Sequence, residues 1–169
     1  MLKRLSLTAA LFAVAEAPAF AHLDPAEHGS LIAGISHPLF GADHILAMVA
    51  VGIWASQIGG RALWAVPAAF VSMMAVGFGL AVAGVDLPFV EPAILASVIG
   101  LGLLVAAAVR LPVAASAAVV GLFALFHGHA HGGELGAAGA LSFGIGFLVA
   151  TAALHGVGVA LGMTVSRLG

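Results

Sequence analysis

Between residues 30 and 165 the chain is a succession of long apolar runs, 30–58, 61–84, 92–109, 112–126 and 136–165, with its charged residues confined almost entirely to the turns between them. Each run approaches the ~20 residues that a helix needs to cross the hydrocarbon core of a bilayer. Backbone in lipid must satisfy its own hydrogen bonds, so unalternating runs of this length form helices and not barrel strands. The composition agrees: 63% of the residues are apolar and 7% charged, against about 45–50% and 25% in ordinary globular domains. Such a chain cannot cover a water-facing surface. The expected fold is all-α, a polytopic membrane helix bundle with five transmembrane helices after cleavage of a leader, or six if the leader is retained.

The same composition excludes several functions. Five Lys and Arg against seven Asp and Glu offer no basic patch for nucleic acid. Cysteine is absent, which removes disulfides, thiolate metal sites and cysteine nucleophiles. The leader is read at residues 1–21: Lys3 and Arg4 precede the apolar stretch 5–14, and Ala19-Phe20-Ala21 places small residues where a signal peptidase inspects them. Cleavage there leaves residues 22–169 as a single transmembrane domain with its N-terminus outside the cytoplasm. Arg61, Arg110 and Arg167 then all fall on the cytoplasmic side, as the positive-inside rule requires, and Trp54 and Trp64 bracket the first cytoplasmic turn where an aromatic belt would sit. The expected location is a bacterial inner membrane, with the C-terminus cytoplasmic.

Eight histidines stand out among so few polar residues. His37, Asp43 and His44 fall near the outer end of the first run, and His127, His131 and Glu134 at the outer end of the fourth. Residues four and seven apart share a helix face, so the second trio can point one way while His129 points elsewhere. Pro38 makes His37 a candidate break in the first segment. Ionisable groups at membrane depth normally face one another or a hydrated path. Imidazole is the common ligand of borderline divalent ions, and carboxylates help to balance their charge; a sulfur-free set suits Ni(II), Co(II) or Zn(II) over Cu(I) or an iron–sulfur cluster. Any one histidine taken alone reads better as a packing residue than as a ligand. Secondary candidates are His22 and His28, where a free terminal amine could join the imidazole in an external chelate, and His155, deep in the last run, as an exit ligand. The small-residue pairs Gly128/Gly132 and Gly158/Gly162 favour close helix approach, within one chain or between copies in a homo-oligomer.

The segments His37-Pro38-Leu39-Phe40-Gly41-Ala42-Asp43-His44 and Phe126-His127-Gly128-His129-Ala130-His131-Gly132-Gly133-Glu134 resemble the HPxxGxDH and FHGxAHGxE patterns of the HupE/UreJ membrane proteins, which are associated with nickel hydrogenase and urease systems. The resemblance covers essentially the whole chain, and His129 occupies the variable position of the second pattern. It implies a secondary permease for Ni(II) or Co(II), with function resting on His37, Asp43, His44, His127, His131 and Glu134, and a functional link to hydrogenase or urease.

Three function classes follow. The first is a transporter that admits a transition-metal ion from the outer side, with the ion as cargo, the bilayer as its setting and no prosthetic group. With no nucleotide-binding motif, the drive comes from the metal gradient, a coupled ion or the membrane potential, which offers a divalent cation about 4.6 kcal/mol per 100 mV. The second is a membrane-embedded metal hydrolase or oxidase, against which the motifs contain no evident serine partner. The third is a metal-sensing or metal-delivery protein with no transport cycle.

Overall fold

The computed structural model describes residues 30–135 and 139–168, apart from the side chains of Glu134 and Leu168. The leader read at residues 1–21, together with His22 and His28, lies outside the described residues. Regular structure among the described residues is entirely helical: α1 (Leu31–Phe40), α2 (Ala42–Ile58), α3 (Ala62–Val82), α4 (Val90–Ala106), α5 (Val113–Leu135) and α6 (Ala140–Leu168). The fold is a helical membrane bundle. By length and composition α3, α5 and α6 each contain a membrane span, and α1 with α2 passes the same test as a pair bent by 84°. The apolar α4 is shorter, at 17 residues, the lower end of the ~17–25 range for a span.

The bend corrects one expectation. Ser30 caps α1, its hydroxyl accepting from the Ala33 amide at 3.0 Å. The helix then continues through His37 and Pro38 to Phe40, and the chain breaks at Gly41, whose backbone is extended (φ −89°, ψ 114°). Proline's fixed φ is itself compatible with helix, so its missing donor need not end one; the break falls at Gly41, where the absence of a Cβ makes leaving the helix cheap. Gly41 is also pressed against the next residues of interest: a Cβ there would stand 3.0 Å from both Asp43 Oδ1 and His44 Nδ1. A second difference is at α5, which does not stop near Phe126 but carries the polar segment as helix as far as Leu135.

Glycines let the backbones approach. Among the helix pairs, α3 packs most extensively on α5, and α1 and α2 both pack on α6. A Cβ on Gly128 would fall on the Met74 carbonyl of α3, and one on Gly158 would fall on the Val49 carbonyl of α2. Without a hydrophobic drive between helices in lipid, such close contact is what gives van der Waals cohesion.

Helices α2 and α6 run in the same direction, Gly52 facing Gly158 and Ser56 facing Gly162. The Trp54 indole donates to the Val109 carbonyl at 2.7 Å, and the Gln57 amide donates to Val105 at 3.1 Å, tying the end of α2 to the end of α4. Arg61 and Arg110 therefore follow the ends of α2 and α4, and Arg167 lies in the last turn of α6, at the pole of the bundle away from the α1–α2 bend. Trp54 is not a belt residue: it is fully buried, because its indole N–H is used inside the protein. Trp64 is exposed, with Arg61 6.0 Å from its ring centroid.

Candidate metal site

At the pole that carries the bend, four imidazoles meet. His37 comes from α1, His44 from α2, and His127 and His131 from successive turns of α5. Ring centroids are 4.5 Å apart for His37 and His131, 4.5 Å for His44 and His131, and 5.0 Å for His44 and His127. His37 and the Asp43 side chain are partly exposed, His44 and His131 are buried, and His127 is fully buried. The cluster thus runs from a wet rim into the bundle. Phe143 and Phe147 of α6 wall it, the Phe147 ring lying 4.7 Å from His131 and 6.2 Å from His44.

The hydrogen bonds fix which nitrogens carry protons. His44 Nδ1–H donates to Asp43 Oδ1 at 3.1 Å, and the same oxygen accepts the His44 amide at 2.9 Å. His44 Nε2 therefore presents a lone pair. On α4, Ser97 Oγ lies 2.6 Å from the Ile94 carbonyl, which can only accept, so the hydroxyl proton is there. His127 Nε2, 2.8 Å from Ser97 Oγ, must then supply its own proton, which leaves a lone pair on His127 Nδ1. The two acceptor nitrogens lie 3.4 Å apart. His131 Nε2, 2.6 Å from His44 Nε2, donates the one proton that this contact requires.

This donor set suits a divalent ion. Two nitrogens bonded at ~2.1 Å to one metal stand about 3.0 Å apart at a right angle and about 3.4 Å apart at a tetrahedral angle. The His44–His127 separation already matches the second figure. The His44–His131 pair has closed onto a hydrogen bond, and among the described residues no group of three or more His, Asp or Glu stands in a geometry that could hold a metal ion. An ion held here would require His131 to give up the proton on Nε2 and to draw back from His44. Proton displacement of this kind accompanies metal binding in general.

The sequence candidates sort accordingly. His37, His44, His127 and His131 are brought together, with Asp43 orienting His44. The Glu134 side chain lies outside the described residues. His129 points away from the cluster and donates to the Val85 carbonyl at 2.7 Å. His155 lies deeper, 5.1 Å from the Phe70 ring. Ser97 escaped the sequence reading, although it is the lone polar residue within the run 92–109. The walls Phe147 and Phe70 escaped too, since nothing in an apolar run distinguishes them.

Comparison with known proteins agrees with the two motifs. Residues 9–169 match the family described as HupE / UreJ protein. The chain is 49% identical to Protein HupE of Rhizobium leguminosarum bv. viciae over 162 residues, covering 95% of this chain and 84% of that protein. No solved structure matches. Family membership, the helical membrane bundle and the paired histidine motifs coincide: this chain belongs to the HupE/UreJ family.

Proposed function

We propose that the protein is a secondary permease that takes up a divalent transition-metal ion, Ni(II) before Co(II) or Zn(II), through the imidazole cluster. The observation that carries this reading is the convergence of three ring nitrogens: His44 Nε2 lies 3.4 Å from His127 Nδ1 and 2.6 Å from His131 Nε2. The arginines stand at the opposite pole, so by the positive-inside rule the cluster faces the periplasm and the C-terminus the cytoplasm. His37 and Asp43 at the rim meet the hydrated ion first. The buried nitrogens then replace its water, and their convergence offsets the cost of dehydration in an apolar interior. No resident cofactor takes part, and the ion is cargo supplied to nickel enzymes such as hydrogenase or urease.

The relay Asp43–His44–His127–Ser97 invites a second reading as a hydrolase. The hydrogen bonding speaks against it. A nucleophilic serine hands its proton to the imidazole, whereas Ser97 gives its proton to the Ile94 carbonyl and is fully buried.

Nickel uptake into proteoliposomes of purified protein tests the proposal, with cobalt and zinc as competitors. Wild type should accumulate nickel and His44→Ala should not. Equal uptake by the two would refute the permease reading. A C-terminal reporter active only in the cytoplasm should work, and one fused at Gly132 should stay silent; activity at Gly132 would reverse the assigned orientation.

A further inference from the structure

Beyond the cluster and the exposed contact of His129, the described residues hold one more imidazole, and it is buried. His155 on α6 is 1% exposed, and neither of its ring nitrogens finds a hydrogen-bond partner. Buried polar groups are nearly always paired, and an orphan in the interior calls for an explanation. Simple packing supplies none, because an aliphatic side chain would fill the place without the desolvation penalty.

Its position supplies one. From the rim inward, ring centroids step 4.5 Å from His37 to His131, 4.5 Å to His44 and 5.0 Å to His127. Phe70 of α3 then lies 5.8 Å from His127 on one side and 5.1 Å from His155 on the other. A single apolar ring thus separates the cluster from His155. One turn back along the same face of α6, the buried Thr151 hydroxyl points at Met74 Sδ, 3.8 Å away. While it donates there, the hydroxyl oxygen keeps its own lone pairs, a second donor group one helical turn from His155.

We infer that His155 is a second, inner station for the transported divalent ion, reached from His127 past the ring of Phe70. This rests on the permease reading and deepens it by assigning a residue on the inward side of the cluster. One imidazole with a neighbouring hydroxyl holds an ion less firmly than the cluster of histidines. A transit site must bind well enough to receive the ion and weakly enough to pass it on.

The test separates a station from a packing residue. His155→Leu keeps an apolar volume in the interior and removes both orphan nitrogens. Nickel binding to the detergent-purified variant should stay within about twofold of wild type, because the cluster is untouched, and its melting temperature should be unchanged or raised. Uptake into proteoliposomes should fall at least about tenfold, the scale on which losing one group of a metal site registers. Uptake within twofold of wild type overturns the inner station, as does a loss of uptake accompanied by lost binding or a lower melting temperature. His44→Ala measured alongside keeps the two readings apart: transport by His44→Ala refutes the permease itself, whereas transport by His155→Leu alone refutes only the station.

Discussion

Replacing Ser97 by alanine removes no residue that would touch the metal, yet it should weaken metal binding sharply. His127 Nε2–H currently donates to Ser97 Oγ at 2.8 Å, and His127 is fully buried. Without the hydroxyl that N–H is stranded, at a cost of about 1–3 kcal/mol. The imidazole can reduce the cost by moving its proton to Nδ1, where it would share His44 Nε2 as an acceptor with the His131 N–H across the existing 3.4 Å gap. That tautomer leaves its lone pair on Nε2, turned away from the cluster, and offers none to an ion held there. Binding metal then requires the proton to return to the unpaired nitrogen, so the same 1–3 kcal/mol is subtracted from affinity, a factor of about 5 to 150. Losses of 10–100-fold are usual when the partner of a ligating histidine is removed. Equilibrium nickel titration of the purified protein in detergent measures this directly, with thermal unfolding as a control. Ser97→Thr keeps the hydroxyl and should recover most of the affinity. A Ser97→Ala protein that binds nickel within twofold of wild type would refute the tautomer argument.

His129→Ala should leave nickel uptake within about twofold of wild type, because its ring serves the Val85 carbonyl and not the cluster. Asp43→Asn keeps an oxygen that can accept from His44 but removes the negative charge that helps offset a divalent ion, so uptake should fall nearly as far as in Asp43→Ala; normal uptake would show that orientation alone matters. Gly128→Ala places a carbon on the Met74 carbonyl and should destabilise the α3–α5 contact by about 1–3 kcal/mol, seen as a lower melting temperature in detergent.

Much of the site was legible from spacing. His127 and His131 are four apart and converge, while His129 lies on another face, as helical periodicity requires. What could not be read was anything that depends on which helices touch. Ser97 is silent in the sequence because its meaning comes from His127, thirty residues away on another helix. Local sequence puts Trp54 near a turn and so at a lipid interface, whereas the end of α4 supplies the acceptor that draws it inside. The break at Gly41 was displaced to His37 because proline is the louder local signal, although glycine is where the backbone leaves the helix and gives the Asp43–His44 pair its room. The glycine pairs were legible as close contacts but not their partners, Met74 and Val49.

The central claim is that His44, His127 and His131 take the ion through their nitrogens. X-ray absorption at the nickel edge of the loaded protein tests it most directly. Wild type should show a nitrogen-rich first shell near ~2.1 Å with the outer-shell scattering of about three imidazoles, and His127→Ala should lose one of them. An identical spectrum for wild type and His127→Ala, or one indistinguishable from hydrated nickel, would contradict the account.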